Sequence, residues 1–90
     1  RAGRKFVVDF AGGPLPMMAK NAGVTPEITV SRGTVSNVSA IRVEEFGGWR
    51  VTFDLKDVKG GDPVQLRAYL RLGNRALSET WLYHWWAKSE

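Results

Sequence analysis

The acid–base chemistry open to this sequence is narrow, because its 90 residues include a single histidine and no cysteine. In a serine-type triad His84 would have to act as the base, yet it lies between Tyr83 and Trp85 in a run with strand character. We therefore interpret His84 as a residue on the face of a sheet. One imidazole without thiolates also cannot form the usual zinc or copper site. The sequence predicts no metal and no other cofactor.

The carboxylates are not spaced for catalysis or for calcium. Glu44 and Glu45 are adjacent in a predicted strand and would point to opposite faces, whereas glycoside hydrolysis needs two facing carboxyl groups about 5–10 Å apart. Asp54, Asp57 and Asp62 are interrupted by lysines and lack the order of a calcium-binding loop. We expect no catalytic residue in this chain.

Binding through a surface is the function that the residue types favour. Arg67, Tyr69 and Arg71 alternate with apolar residues and so share the outward side of one predicted strand. Such a row can stack on sugar rings, form salt bridges to a neighbouring domain, or bind single-stranded nucleic acid. The net charge of +4 is modest and no nucleic-acid signature is present, so we expect no nucleic acid as a partner.

The end of the chain adds a second feature to this surface. Trp85 and Trp86 are neighbours in a predicted strand, and neighbouring strand residues face opposite ways. At least one of the two indoles must therefore be covered by something outside the central core. The predicted binding residues are Arg67, Tyr69, Arg71 and Trp86, with a domain, a partner or a sugar as the ligand.

The elements that position these residues are strands. Apolar residues recur with period two along most of the chain, and Gly or Pro residues separate the runs. The pattern predicts a bulge in the third strand, a primed hairpin turn at Gly47 and Gly48, and an inward row from Trp49 to Leu55 in the fourth. The predicted strands cover residues 6–10, 27–32, 35–44, 49–55, 64–71 and 78–86.

Six or seven short antiparallel strands in 90 residues predict one small all-β domain over residues 1–90. We expect an immunoglobulin-like β-sandwich of about seven strands, with Trp49 and Trp81 taking the place of the missing disulfide in the core. A small barrel of the OB type is the alternative. No apolar run is long enough to cross a bilayer, so we do not expect a membrane-embedded protein.

Three stretches together resemble a known family. They are RKFVVDFAGGPL at residues 4–15, GGWRVTFDL at residues 47–55 and PVQLRAYLRLGNRALSETWLYHW at residues 63–85. In this order they are similar to the C-terminal end of the periplasmic glucans biosynthesis proteins of the G and D type. Residues 16–46 add nothing specific, and the tail after Trp85 departs from the family pattern.

The resemblance implies a fragment of a periplasmic protein of Gram-negative bacteria. In that family a large N-terminal domain holds the glucan cleft and its acidic catalytic residues, and some members are similar to β-1,2-glucan hydrolases. This chain resembles the smaller immunoglobulin-like C-terminal domain, so no catalytic residue carries over. The implied function is an accessory one in osmoregulated periplasmic glucan synthesis: support of the N-terminal domain, or docking of a partner from the synthesis machinery. Direct glucan binding through exposed Trp or Tyr is the alternative, and a nucleic-acid-binding barrel comes third.

Overall fold

The computed structural model describes residues 2–59 and 61–86, and nearly all of the regular structure in them is strand. Two short 3-10 helices, Leu15–Met17 and Glu44–Phe46, interrupt the strands. Within the described residues no helix is long and apolar enough to span a membrane. The strands are β1 Ala2–Ala11, β2 Val24–Val30, β3 Thr34–Val43, β4 Gly48–Val58, β5 Val64–Leu72, β6 Arg75–Ala76 and β7 Trp81–Trp85.

The strands form two antiparallel sheets. In sheet 1, β4 is central between β1 and β3; in sheet 2, β5 is central, with β2 on one side and β6 and β7 on the other. With β6 and β7 counted as one broken strand, the orders β1-β4-β3 and β2-β5-β7 correspond to strands B-E-D and C-F-G of an immunoglobulin sandwich. The predicted β-sandwich is confirmed, and the small barrel is wrong for the described residues.

The core lies between the inward faces of the two sheets, where apolar residues alternate with polar ones. The inward row of β4 is confirmed, since Val51, Phe53 and Leu55 are fully buried and Trp49 is 2% exposed. Trp81 is only partly buried, but its ring packs edge-on against Phe6 at a centroid distance of 6.3 Å. The other fully buried core residues are Leu15, Val58, Val64, Leu66, Ala68 and Leu70.

The predicted bulge in β3 is confirmed. The pairing of β3 with β4 shifts register between Ser36 and Ser39, and Asn37 adopts a left-handed φ of 53°. Asparagine tolerates this conformation better than most residues. Its side-chain amide donates to Asp54 Oδ2 at 2.7 Å, which ties the bulge to the central strand.

The predicted primed turn between β3 and β4 is wrong, although the two strands pair antiparallel as expected. A four-residue connection joins them: the 3-10 helix Glu44–Phe46, followed by Gly47 with a left-handed φ of 62°. Gly48 already belongs to β4 and pairs with both Ala11 and Val43. A Cβ atom on Gly48 would lie 2.2 Å from the Phe10 backbone oxygen, so this glycine permits close strand approach instead of a turn.

The last predicted strand, residues 78–86, is wrong in its extent. The chain forms β6, leaves the ladder, and resumes as β7 at Trp81. The Leu70 amide donates to the Ser78 hydroxyl at 2.9 Å. Because a side-chain oxygen takes the place of a backbone carbonyl there, the strand pairing is interrupted.

Candidate interaction surface

The row of residues predicted on β5 lies on the outer face of sheet 2. Arg67, Tyr69 and Arg71 alternate with Ala68 and Leu70, which are fully buried, so the three side chains share the solvent side. Tyr69 and Arg71 are half-buried and Arg67 is exposed. The structure therefore brings together three of the four residues singled out from the sequence.

Arg71 is committed to contacts within the domain. Its Nε donates to Glu27 Oε1 on β2 at 2.9 Å, and its Nη1 donates to the Gly73 backbone oxygen at 2.9 Å. Glu27 also pairs with Tyr69 across the β2–β5 ladder. These contacts hold the edge strand and the turn after β5 together, so Arg71 contributes more to the domain than to a free binding surface.

Arg67 differs from Arg71, because no ion pair holds it among the described residues. Its cross-strand neighbours are Thr29 on β2 and Leu82 on β7. Leu82, on the edge strand β7, is 67% exposed. Sequence reasoning missed Leu82 as a candidate surface residue, because its place beside Arg67 depends on the β5–β7 register.

Trp86 lies at the other end of the same sheet. It directly follows β7 and is 60% exposed, and strand alternation assigns it to the side of Leu82 and His84. Since Trp85 pairs with Val64, Trp86 is level with the residue before β5, six residues from Tyr69. At about 3.4 Å per residue the two are roughly 20 Å apart along the strand. Leu82 lies between them, and we call Arg67, Tyr69, Leu82 and Trp86 the sheet-2 patch.

The outer face of sheet 1 is mixed: its charged side chains are paired with one another, and Val7 and Ile41 beside them are more than half exposed. Arg50 donates to both carboxylate oxygens of Asp9, at 2.8 and 3.1 Å, and Lys5 lies 3.1 Å from Asp54. The hydrogen bond from Arg50 lowers the pKa of Asp9, and hydrogen bonds from Asn37 and then Lys5 lower the pKa of Asp54. These pairs connect β1 and β3 to β4 and fix the register of the sheet.

The carboxylates considered for chemistry are dispersed. Glu44 and Glu45 lie in a 3-10 helix and not in a strand, which corrects the expected alternation, and Glu44 accepts a hydrogen bond from Arg42 at 2.7 Å. Arg42 also donates to the Pro16 backbone oxygen at 2.7 Å. Within residues 2–59 and 61–86, no three His, Asp or Glu side chains come close enough to hold a metal ion.

The fold and this surface define the chain as a small immunoglobulin-like β-sandwich with an amphipathic outer face. Its sequence matches the family model described as "Periplasmic glucan biosynthesis protein, MdoG" over residues 1–85. The chain therefore belongs to the periplasmic glucan biosynthesis protein family, which confirms the resemblance seen in the sequence.

Relatives in three genera support this membership. The chain is 41% identical over 83 residues to glucans biosynthesis protein D of Pseudomonas syringae pv. tomato and to probable glucans biosynthesis protein D of Shewanella oneidensis. It is 47% identical over 81 residues to glucans biosynthesis protein D 1 of Ralstonia nicotianae. These matches cover 90–91% of the chain but only 15% of each relative.

Proposed function

We propose that this chain is an accessory domain of a periplasmic protein of glucan biosynthesis, and that it docks through the sheet-2 patch onto the remainder of its own polypeptide. The observation that carries the proposal is the exposure of two large apolar side chains, Leu82 at 67% and Trp86 at 60%, on the face of Arg67, which no ion pair holds in the part of the chain that the structure describes. The family's description supports both the process and the periplasmic location.

The composition of the sheet-2 patch supports a role as a protein interface. Trp, Tyr and Arg are the residues that most often dominate binding energy, and an apolar centre with a polar rim is the usual arrangement. Interfaces between domains of one chain bury about 600–1,500 Å² and are fairly polar, which suits a sheet face with Arg67 and Tyr69 beside Leu82.

The remainder of the same polypeptide is the occupant best supported. The chain spans 15% of the length of its relatives, so most of such a protein lies outside this domain. A domain of 90 residues buries a smaller share of its surface on folding than a larger domain does, and it gains stability by packing on a larger neighbour.

The test compares two exposed aliphatic residues on opposite faces of the sandwich. In the full-length parent, Leu82→Glu should lower the melting temperature of this domain by at least about 5 °C, because removing the carboxylate from water in the interface costs more than its pairing with Arg67 returns. The control, Ile41→Glu, changes a residue that is 56% exposed on the outer face of sheet 1 and should have no such effect. Equal melting temperatures for both variants would contradict docking through this patch.

A fluorescence titration tests the alternative function, direct sugar binding. If Trp86 stacks on a sugar ring, titration of the chain with linear β-1,2-glucan should change the tryptophan fluorescence, and Trp86→Ala should abolish that change. We expect no change at millimolar sugar. A saturable signal lost in the variant would replace domain docking with direct carbohydrate binding.

A further inference from the structure

The free edge of β1 is a feature that the sheet-2 patch does not involve. β1 pairs with β4 on one side, and no strand among the described residues pairs with its other side. In the immunoglobulin order β1 takes the place of strand B, whose outer neighbour in the constant type is strand A. The described residues contain no counterpart of strand A.

The features that usually protect an exposed strand are confined to the first residues of β1, where the pairing with β4 shifts register between Ala2 and Arg4. β1 is ten residues long and contains no proline. Of its charged side chains, Arg4 is exposed with its guanidinium 5.9 Å from the Phe6 ring centroid, whereas Lys5 and Asp9 are bound to Asp54 and Arg50 of β4. Natural proteins blunt free edges with short strands, proline, bulges or unpaired charges, and residues 5–11 of β1 have none of these, so this part of the edge is suited to pairing with another strand.

The sandwich is also open beside the same edge. Tyr83 pairs with the buried Leu66 and so faces inward, yet it is 47% exposed. Its ring stacks on Trp81 at 5.5 Å between centroids and meets Phe6 edge-on at 6.1 Å. An open groove of about 400 Å³ continues this opening between residues 8–11 of β1 and residues 78–82. In an immunoglobulin sandwich this flank is covered by strand A.

We propose that an additional antiparallel strand, contributed by the segment of the parent polypeptide directly upstream of Arg1, pairs with the free edge of β1 and covers Tyr83. Topology argues for this occupant, because strand A directly precedes strand B and a short hairpin suffices to join antiparallel neighbours. The relatives, of which the chain spans 15%, contain ample polypeptide for it. This proposal rests on the free edge of β1 and not on the sheet-2 patch, so it does not depend on the proposed function.

Hydrogen exchange tests the pairing without any substitution. The 90-residue chain is compared with the same chain extended by about 20 residues of the parent reading frame upstream of Arg1, and with the full-length parent. The β1 amides that point away from β4 should exchange at least about a hundredfold more slowly in both longer proteins, because a new strand would bond them. Unchanged exchange in both would overturn the proposal.

A variant in the opening tests where the strand lies. The extension should raise the melting temperature by at least about 5 °C, and Tyr83→Ala should remove most of that gain. Ile41→Ala, on the opposite edge strand, should leave the gain intact. An equal gain in the Tyr83 variant would contradict the placement beside β7.

Sedimentation of the 90-residue chain tests the rival occupant, a second copy. A monomer with unprotected β1 amides agrees with the proposal, whereas a dimer in which those amides are protected would overturn it. None of these measurements involves the Leu82→Glu comparison, so failure of the added strand and failure of docking through the sheet-2 patch are distinguishable.

Discussion

At the scale of single residues, Asp9 links the acid sensitivity of the domain to one contact. Because the hydrogen bond from Arg50 lowers its pKa below the ordinary 3.8, the ionised carboxylate stabilises the folded state at any pH above that value. The contribution is lost as the pH falls below 3.8 and through the lower pKa of the folded state. Asp9→Asn should therefore lower the melting temperature at pH 7. At pH values below the pKa of the folded state, the melting temperatures of wild type and variant should become equal.

The expected effect at pH 7 is at most a few degrees, because both side chains are partly exposed and such pairs contribute little. Circular dichroism melts between pH 2 and pH 7 measure it. The control is Asp62→Asn, since the Asp62 backbone oxygen, not its carboxylate, takes the hydrogen bond from Arg32. If Asp9→Asn lowered the melting temperature by the same amount at pH 2 and at pH 7, the ion pair would not be the cause of the loss.

At the scale of elements, the close pairing of β4 with β1 requires a glycine at position 48. Gly48 begins the central strand of sheet 1, and a Cβ atom there would lie 2.2 Å from the Phe10 backbone oxygen and 2.6 Å from a Phe46 ring carbon. Since a backbone atom cannot give way without moving β1, Gly48→Ala should destabilise the domain by about 3 kcal/mol, the upper end of the range for overpacking.

Urea unfolding measures this loss, with Gly61→Ala as the matched control. A Cβ atom on Gly61 would meet nothing within 4 Å, so the control should unfold at the wild-type midpoint. Equal midpoints for the two variants would mean that β1 and β4 separate at low cost, and the close approach at Gly48 would not be a constraint.

The strands that could be predicted from the sequence are those whose two faces differ most. β4 alternates buried apolar and outward polar residues from Trp49 to Leu55 and β5 does so from Val64 to Leu70, so local pattern determines their orientation and most of their extent, although β4 continues to Val58. The break between β6 and β7 could not be predicted, because it depends on the Leu70 amide reaching the Ser78 hydroxyl. Gly48 shows the same limit, since its conflict is with β1, about 40 residues earlier in the chain.

At the scale of the whole molecule, the candidate surface was predictable only in part. The alternation of β5 was enough to place Arg67, Tyr69 and Arg71 on one face. Two further contacts could be known only from the three-dimensional fold. Arg71 is bound by Glu27 from a strand 44 residues away, and Leu82 comes beside Arg67 through the β5–β7 register. A strand's own pattern shows which residues share its face, but pairing decides which strands are neighbours.

The small size of the molecule makes its stability sensitive to the shared core. At about 0.05–0.15 kcal/mol per residue, 90 residues give a total of about 5–13 kcal/mol. Phe53 is fully buried in β4 and stacks on Phe6 with the ring centroids 5.3 Å apart. Phe53→Ala removes this packing from between the sheets and should cost about 3–5 kcal/mol, a large share of the total.

Phe46→Ala is the control, because that ring is 38% exposed and contacts Arg50 from outside the core, with the guanidinium 5.9 Å from the ring centroid. It should cost less than about 1 kcal/mol. Urea unfolding followed by tryptophan fluorescence should show a much lower midpoint for Phe53→Ala, with the same denaturant dependence as wild type. If Phe53→Ala lost no more stability than Phe46→Ala, the two sheets would not share a single core. In a shared core, the cavity left by Phe53 could not be filled without rearranging both sheets.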